Sequence, residues 1–109
     1  MKGTNLGEFE ELIMLVAGVL YPEAYGVAIK KEIYTQTGRK VTLSAVHSAL
    51  HRLEKKGFLE SKFGDATKIR GGKRKKFFII TTYGSKVLNE AMSIRKQLWD
   101  SIPKVALGG

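Results

Sequence analysis

No cysteine occurs in the 109 residues, so disulfides, thiolate zinc sites and cysteine nucleophiles are excluded. Long apolar runs are missing too: the longest, Leu12 to Leu20, is about half of what a bilayer span needs. Where a secretory signal would place Lys and Arg ahead of such a run, this chain has Glu8, Glu10 and Glu11, and no small-residue cleavage site follows. The expectation is one soluble, intracellular domain, cytoplasmic and with no membrane partner. A chain of this length buries only about two-thirds of its unfolded surface, so a partner subunit would strengthen a modest core. Acid is scarce, with 10 Asp+Glu against 19 Lys+Arg and a formal net charge of +9. That balance favours a polyanion: nucleic acid first, an acidic membrane surface second.

The excess is unevenly spread. Residues 1–43 hold five basic and five acidic side chains, and the whole excess lies in residues 44–109. Its densest part runs from Lys68 to Lys76, where Lys68, Arg70, Lys73, Arg74, Lys75 and Lys76 meet no acid. Asymmetry of this kind points to a binding face rather than to general solubility.

Hydrophobic spacing predicts three short helices. The first runs from Glu8 to Leu20, with Phe9, Leu12, Ile13, Val16 and Leu20 at helical intervals. Leu15, Ala17 and Val19 make it apolar on a second side, so it is expected to bury two faces. Its early acids complement the helix dipole. Tyr21-Pro22 breaks it. The second runs from Ala24 to Thr37 with Val27, Ile29 and Ile33 inward, and Gly38 as C-cap. Ser44 is the expected N-cap of the third, which reaches Lys56 and stops at Gly57. A strand from Phe58 to Phe63 and another from Lys76 to Thr81 enclose the basic loop. A last helix follows the Thr81-Thr82 cap and ends near Ile102, before Pro103.

This order predicts a mainly α fold with a small β-hairpin, a winged helix-turn-helix with a long C-terminal dimerisation helix. The expected divisions are 1–81 for the winged unit, 82–103 for the dimerisation helix and 104–109 for a flexible tail. In such a unit the third helix enters the DNA major groove and the hairpin loop lies along the backbone or minor groove.

On the third helix, Val46, Ala49, Leu50 and Leu53 form the core stripe. Ser44, Ser48, His51 and Lys55 face the other way, flanked by His47 and Arg52, and Glu54 lies at the edge of the core stripe. Short hydroxyls and imidazoles suit base edges, while longer cations reach phosphates. Ser44, His47, Ser48 and His51 are therefore expected to read bases, and Arg52 and Lys55 to anchor phosphates together with the wing cations. His47 and His51 have the spacing of a helical metal pair, but no Glu lies between them and no Cys completes a site, so no metal is expected. No catalytic constellation or nucleotide-binding turn is present, and neither enzymatic activity nor a cofactor is expected.

In the last helix Val87, Ala91, Ile94 and Leu98 form an apolar stripe that Leu88, Met92 and Trp99 widen. The arc exceeds what one small domain covers. A two-fold dimer is expected, held by this stripe and by Phe9 and Leu12 of the first helix. Any effector pocket would lie at the seam, near Trp99 and Met92. A dimer would bind a palindromic operator in double-stranded DNA. Two other readings stand beside this one. A basic RNA- or ribosome-binding adaptor would need an exposed aromatic, for which Phe77 or Phe78 is the candidate. A membrane-surface binder would need a basic amphipathic helix, whereas the charge here sits on a loop.

Four segments resemble the PadR family of bacterial transcriptional regulators, in particular its small members with a single C-terminal helix. They are Leu6-Gly-Glu-Phe-Glu-Glu-Leu-Ile-Met-Leu15, Ala24-Tyr-Gly-Val-Ala-Ile29, Leu50-His-Arg-Leu-Glu-Lys-Lys-Gly-Phe-Leu59, and Arg70 to Phe78 followed by Ile80-Thr-Thr-Tyr-Gly84. The resemblance implies a homodimeric repressor, often released by a small aromatic or hydrophobic ligand. The chain departs from the family in carrying His47 where the recognition helix often has Tyr, and Phe77 and Phe78 for the wing tyrosines.

Overall fold

The computed structural model describes residues 6–64 and 74–108. The element order is α1 (Glu8–Val19), α2 (Gly26–Thr37), α3 (Leu43–Lys55), β1 (Leu59–Phe63), β2 (Lys76–Ile80) and α4 (Thr82–Ser101), then a short 3-10 turn at Lys104–Leu107. That turn lies within the stretch expected to be a flexible tail.

The core forms where the first three helices meet the hairpin. Ile13 and Met14 of α1, Ile29 and Ile33 of α2, and Val46, Leu50 and Leu53 of α3 are fully buried, with Leu59 of β1 closing the set. All four members of the α3 core stripe lie inside. In α2 the inward residues are Gly26, Ile29 and Ile33, whereas Val27, expected inward, is exposed.

Two helix starts differ from expectation, each for a physical reason. Ala24 is not helical, because its carbonyl accepts a 2.8 Å hydrogen bond from the Phe78 amide of β2. The connection between α1 and α2 is thereby tied to the wing. In α3 the cap is Thr42, whose hydroxyl accepts from the Ala45 amide at 3.0 Å. Ser44 stands in the first turn instead, relieved of the capping task. Gly38 ends α2 at φ +73° as expected.

The hairpin pairs antiparallel, from Leu59 opposite Ile80 to Phe63 opposite Lys76. Thr81 caps α4 by accepting from the Gly84 amide at 2.9 Å, and its hydroxyl donates to the Gly57 carbonyl at 2.7 Å. Gly84 lies so close to the Phe58 carbonyl that a Cβ there would collide with backbone. This packing sets the angle at which α4 leaves the domain. Twenty residues of α-helix extend about 30 Å, and the molecule measures 59 × 31 × 20 Å.

Candidate nucleic-acid interface

The outward side of α3 carries Ser44, His47, Ser48, His51, Arg52 and Lys55, all exposed. The structure thus brings every predicted α3 residue to one side of the domain. His47 owes its position to Gly26, since a Cβ at residue 26 would overlap the imidazole. Glu54, the one acid of α3, is turned to the hairpin, where it accepts from the Ser61 hydroxyl and faces the Lys76 ammonium at 3.6 Å. Its charge is countered there by the hairpin, while Glu54 also lines the cleft that holds His47 and His51.

β2 borders the same surface. A cleft of about 460 Å³ separates α2 from α3 and β2, with His47, His51, Tyr25 and Lys76 among its walls. The Lys75 ammonium stands 4.3 Å above the Tyr25 ring, and Phe77 meets that ring edge-on at 5.9 Å. Tyr25 thus supports the base of the wing from the N-cap of α2. Arg74, Lys75 and Lys76 are exposed. The predicted cations Lys68, Arg70 and Lys73 lie outside the described residues. Phe78 is buried and Phe77 half-buried, so neither offers the free ring that an RNA-stacking platform requires.

Electrostatic pairing on α1 is what sequence reasoning missed. Glu10 is buried; it accepts from the Gly7 amide at 2.9 Å, from Lys56 Nζ at 3.0 Å and from Arg52 Nε at 3.2 Å. Burial pushes its carboxyl pKa up, but those hydrogen bonds outweigh burial and hold it below the ordinary value. Arg52, expected to serve phosphates alone, is thus also braced against α1. Glu11 receives two hydrogen bonds from Arg95 of α4, each 2.9 Å, which raise the guanidinium pKa further. Glu8 pairs with Arg39 at 2.8 Å. No local signal announces these pairs, because the partners are 31 to 84 residues away.

The predicted seam residues divide into two groups. Phe9, Leu12 and Val87 pack against the chain's own core, and Ala91 is buried within the chain. Ile94 is half-buried. Beyond Arg95 the helix stands clear of the domain, with Leu98 and Trp99 each 64% exposed. Ile102, Val105 and Leu107, which follow in the chain, are exposed as well. Met92 lines a groove of about 290 Å³ between α1 and α4, beside Leu12 and Leu15; Trp99 does not line it. Among the described residues, no three His, Cys, Asp or Glu side chains gather as a metal site, and no helix is long and apolar enough to cross a membrane.

Residues 16–90 match the sequence profile of the transcriptional regulator PadR-like family. The chain belongs to that family. As a PadR-like protein it is a DNA-binding transcriptional regulator and not an enzyme. A relative from Lysinibacillus sphaericus, an uncharacterised protein, is 31% identical over 86 residues, covering 77% of this chain and 74% of its own. Among solved structures, a PadR family regulator from Eggerthella lenta is 29% identical with a TM-score of 0.68, covering 91% of this chain and 86% of its own. A PadR-like regulator from Bacillus cereus superposes with a TM-score of 0.73 at 20% identity, over 93% and 92% of the two chains. The PadR-like winged helix is therefore the fold, and its third helix is α3.

Proposed function

We propose that this PadR-like regulator is a two-fold dimer that binds a palindromic operator in cytoplasmic DNA and represses transcription. Ser44, His47, Ser48 and His51 contact base edges, while Arg52, Lys55 and the wing cations, Lys68 to Lys76, contact phosphates. The observation that carries this reading is the outward side of α3, where hydroxyls, imidazoles and cations are exposed together and the only acid is drawn to the hairpin. Base readout needs exposed donors and acceptors. The exposed apolar end of α4 supports the dimer, since large apolar side chains grouped in water mark an association surface. Two-fold symmetry would set the paired α3 helices roughly 34 Å apart, one DNA turn. A flat hydrophobic effector would enter at the seam, where Trp99 can stack and Met92 lines the α1–α4 groove. The deciding experiment is selection of bound fragments from genomic DNA with the purified protein. An inverted repeat shared by the recovered fragments is expected; recovery no richer in any motif than the input would refute sequence-specific binding.

A further inference from the structure

We infer that Glu11 and Arg95 form a strut that fixes the angle of α4 against the winged unit, and with it the half-site spacing that the dimer accepts. The inference rests on the dimer and operator reading above and adds two positioning residues to it. Adjacent residues of α1 reach to different neighbours. Glu10 is held by Arg52 and Lys56 of the third-helix segment, at 3.2 and 3.0 Å. Glu11, the next residue, accepts from both Nε and Nη2 of Arg95 at 2.9 Å each. One turn of α1 therefore references both the recognition helix and α4. Glu11 is the sheltered half of its pair, with a side chain 10% exposed against 60% for Arg95.

The first half of α4 is the attached half. Gly84 lies against the Phe58 carbonyl, Val87 and Leu88 pack on the core, and Ala91 is buried. From Arg95 onward every described residue is exposed. Arg95 stands about 16 Å along the helix from Gly84, at about 1.5 Å per residue. Beyond it, the hydrogen bonds among the described residues stay within α4 and the 3-10 turn. Apolar packing has no preferred direction, so the earlier contacts alone leave the helix able to rock. A bidentate guanidinium–carboxylate pair is planar and directional, and at this distance from Gly84 it opposes rocking. Leu98 and Trp99, the exposed residues of the proposed seam, follow within about one turn. Rocking by about 10° over a helix about 30 Å long carries its far end about 5 Å. One base-pair step is about 3.4 Å. The distance between the paired α3 helices thus depends on the angle that this pair holds.

The test takes the inverted repeat recovered from genomic DNA and lengthens or shortens its centre by one and two base pairs. Each added pair also turns one half-site by about 35° against the other. The unmodified full chain should prefer one spacing sharply. An ion pair this exposed biases an equilibrium by up to about fivefold, and a dimer holds two, so removing them should cut the preference for the best spacing by about three- to tenfold. Glu11→Gln removes the charge, and Arg95→Lys keeps it but loses the planar fork; both should flatten the spacing profile. Affinity for random duplex and the dimer seen by sedimentation should stay as in the unmodified protein. Lys96→Ala removes a neighbouring charge that pairs within α4, and should leave the profile intact. Full spacing preference in either Glu11→Gln or Arg95→Lys would overturn the strut and leave the operator reading standing. An equal flattening in Lys96→Ala would overturn it as a general charge effect. Loss of the dimer or of random-duplex binding in Glu11→Gln would overturn it too, since the pair would then hold the seam or the fold. If the unmodified protein recovered no inverted repeat, both readings would fall together.

Discussion

Replacing Glu10 by Gln tests the ion-pair centre that ties α1 to the third-helix segment. The amide keeps an oxygen for the Gly7 N–H but loses the charge that holds Lys56 and Arg52. The Lys56 side chain is 27% exposed and that of Arg52 51%. A sheltered charge-assisted hydrogen bond contributes about 1.5–3 kcal/mol, and an exposed one about 0–1. The Lys56 bond falls in the first class and the Arg52 bond, screened by solvent, in the second. Glu10→Gln should therefore cost about 2 kcal/mol, which for a domain near this length lowers Tm by roughly 8–15 °C. The pH dependence supplies the sign. The folded-state pKa of Glu10 is depressed, so its contribution is present above the ordinary carboxylate range and is lost as pH falls through the folded value. Melts of both proteins at one fixed concentration, from about pH 7 down to about pH 3, should show a gap that narrows with acid. A gap of zero at neutral pH, or one of constant size across the range, would refute the assignment.

Other expectations follow from the same geometry. His47→Ala or Ser48→Ala should lower operator affinity by about 1–3 kcal/mol while leaving random-DNA affinity nearly intact; equal losses in a binding titration would make these residues backbone positioners. Replacing Lys73, Arg74 and Lys75 by Ala should weaken both DNAs and flatten the salt slope, and unchanged affinity for random duplex would remove the wing from the interface. Leu98→Glu should yield monomers that lose operator binding, read by sedimentation; a stable micromolar monomer of the unmodified protein would sink the seam. Gly84→Ala forces a methyl against the Phe58 carbonyl and should cost about 1–3 kcal/mol or more in denaturant unfolding, a result contradicted if stability held.

Much of the fold was legible because it is written in local periodicity. The α3 core stripe recurs at helical spacing, and Val46, Ala49, Leu50 and Leu53 are all buried. The face opposite followed directly, so the exposed side of α3 was legible as well. What escaped the sequence depends on partners far along the chain. Ala24 looks like a helix start, yet its carbonyl is bonded to Phe78. Val27 reads as core by spacing, but the stripe that packs is set by Gly26, over which His47 lies. Glu10 and Glu11 read as dipole complements and are in fact cross-braces to Lys56, Arg52 and Arg95. Counting charge by segment therefore placed the whole excess after residue 43, although Lys30, Lys31 and Lys40, without an ion-pair partner among the described residues, precede that point.

The exposed end of α4 also bears on dose. Leu98 and Trp99 find no cover among the described residues, and with this surface as the dimer seam, the species that reads an operator is a pair. Below the dissociation constant of that pair, its amount grows as the square of the chain concentration, so doubling the chain yields about fourfold more operator-competent protein. Gene output would then respond to the amount of regulator as a threshold rather than in proportion. Any molecule that wedges the two α4 helices apart would move that threshold without touching a single DNA contact.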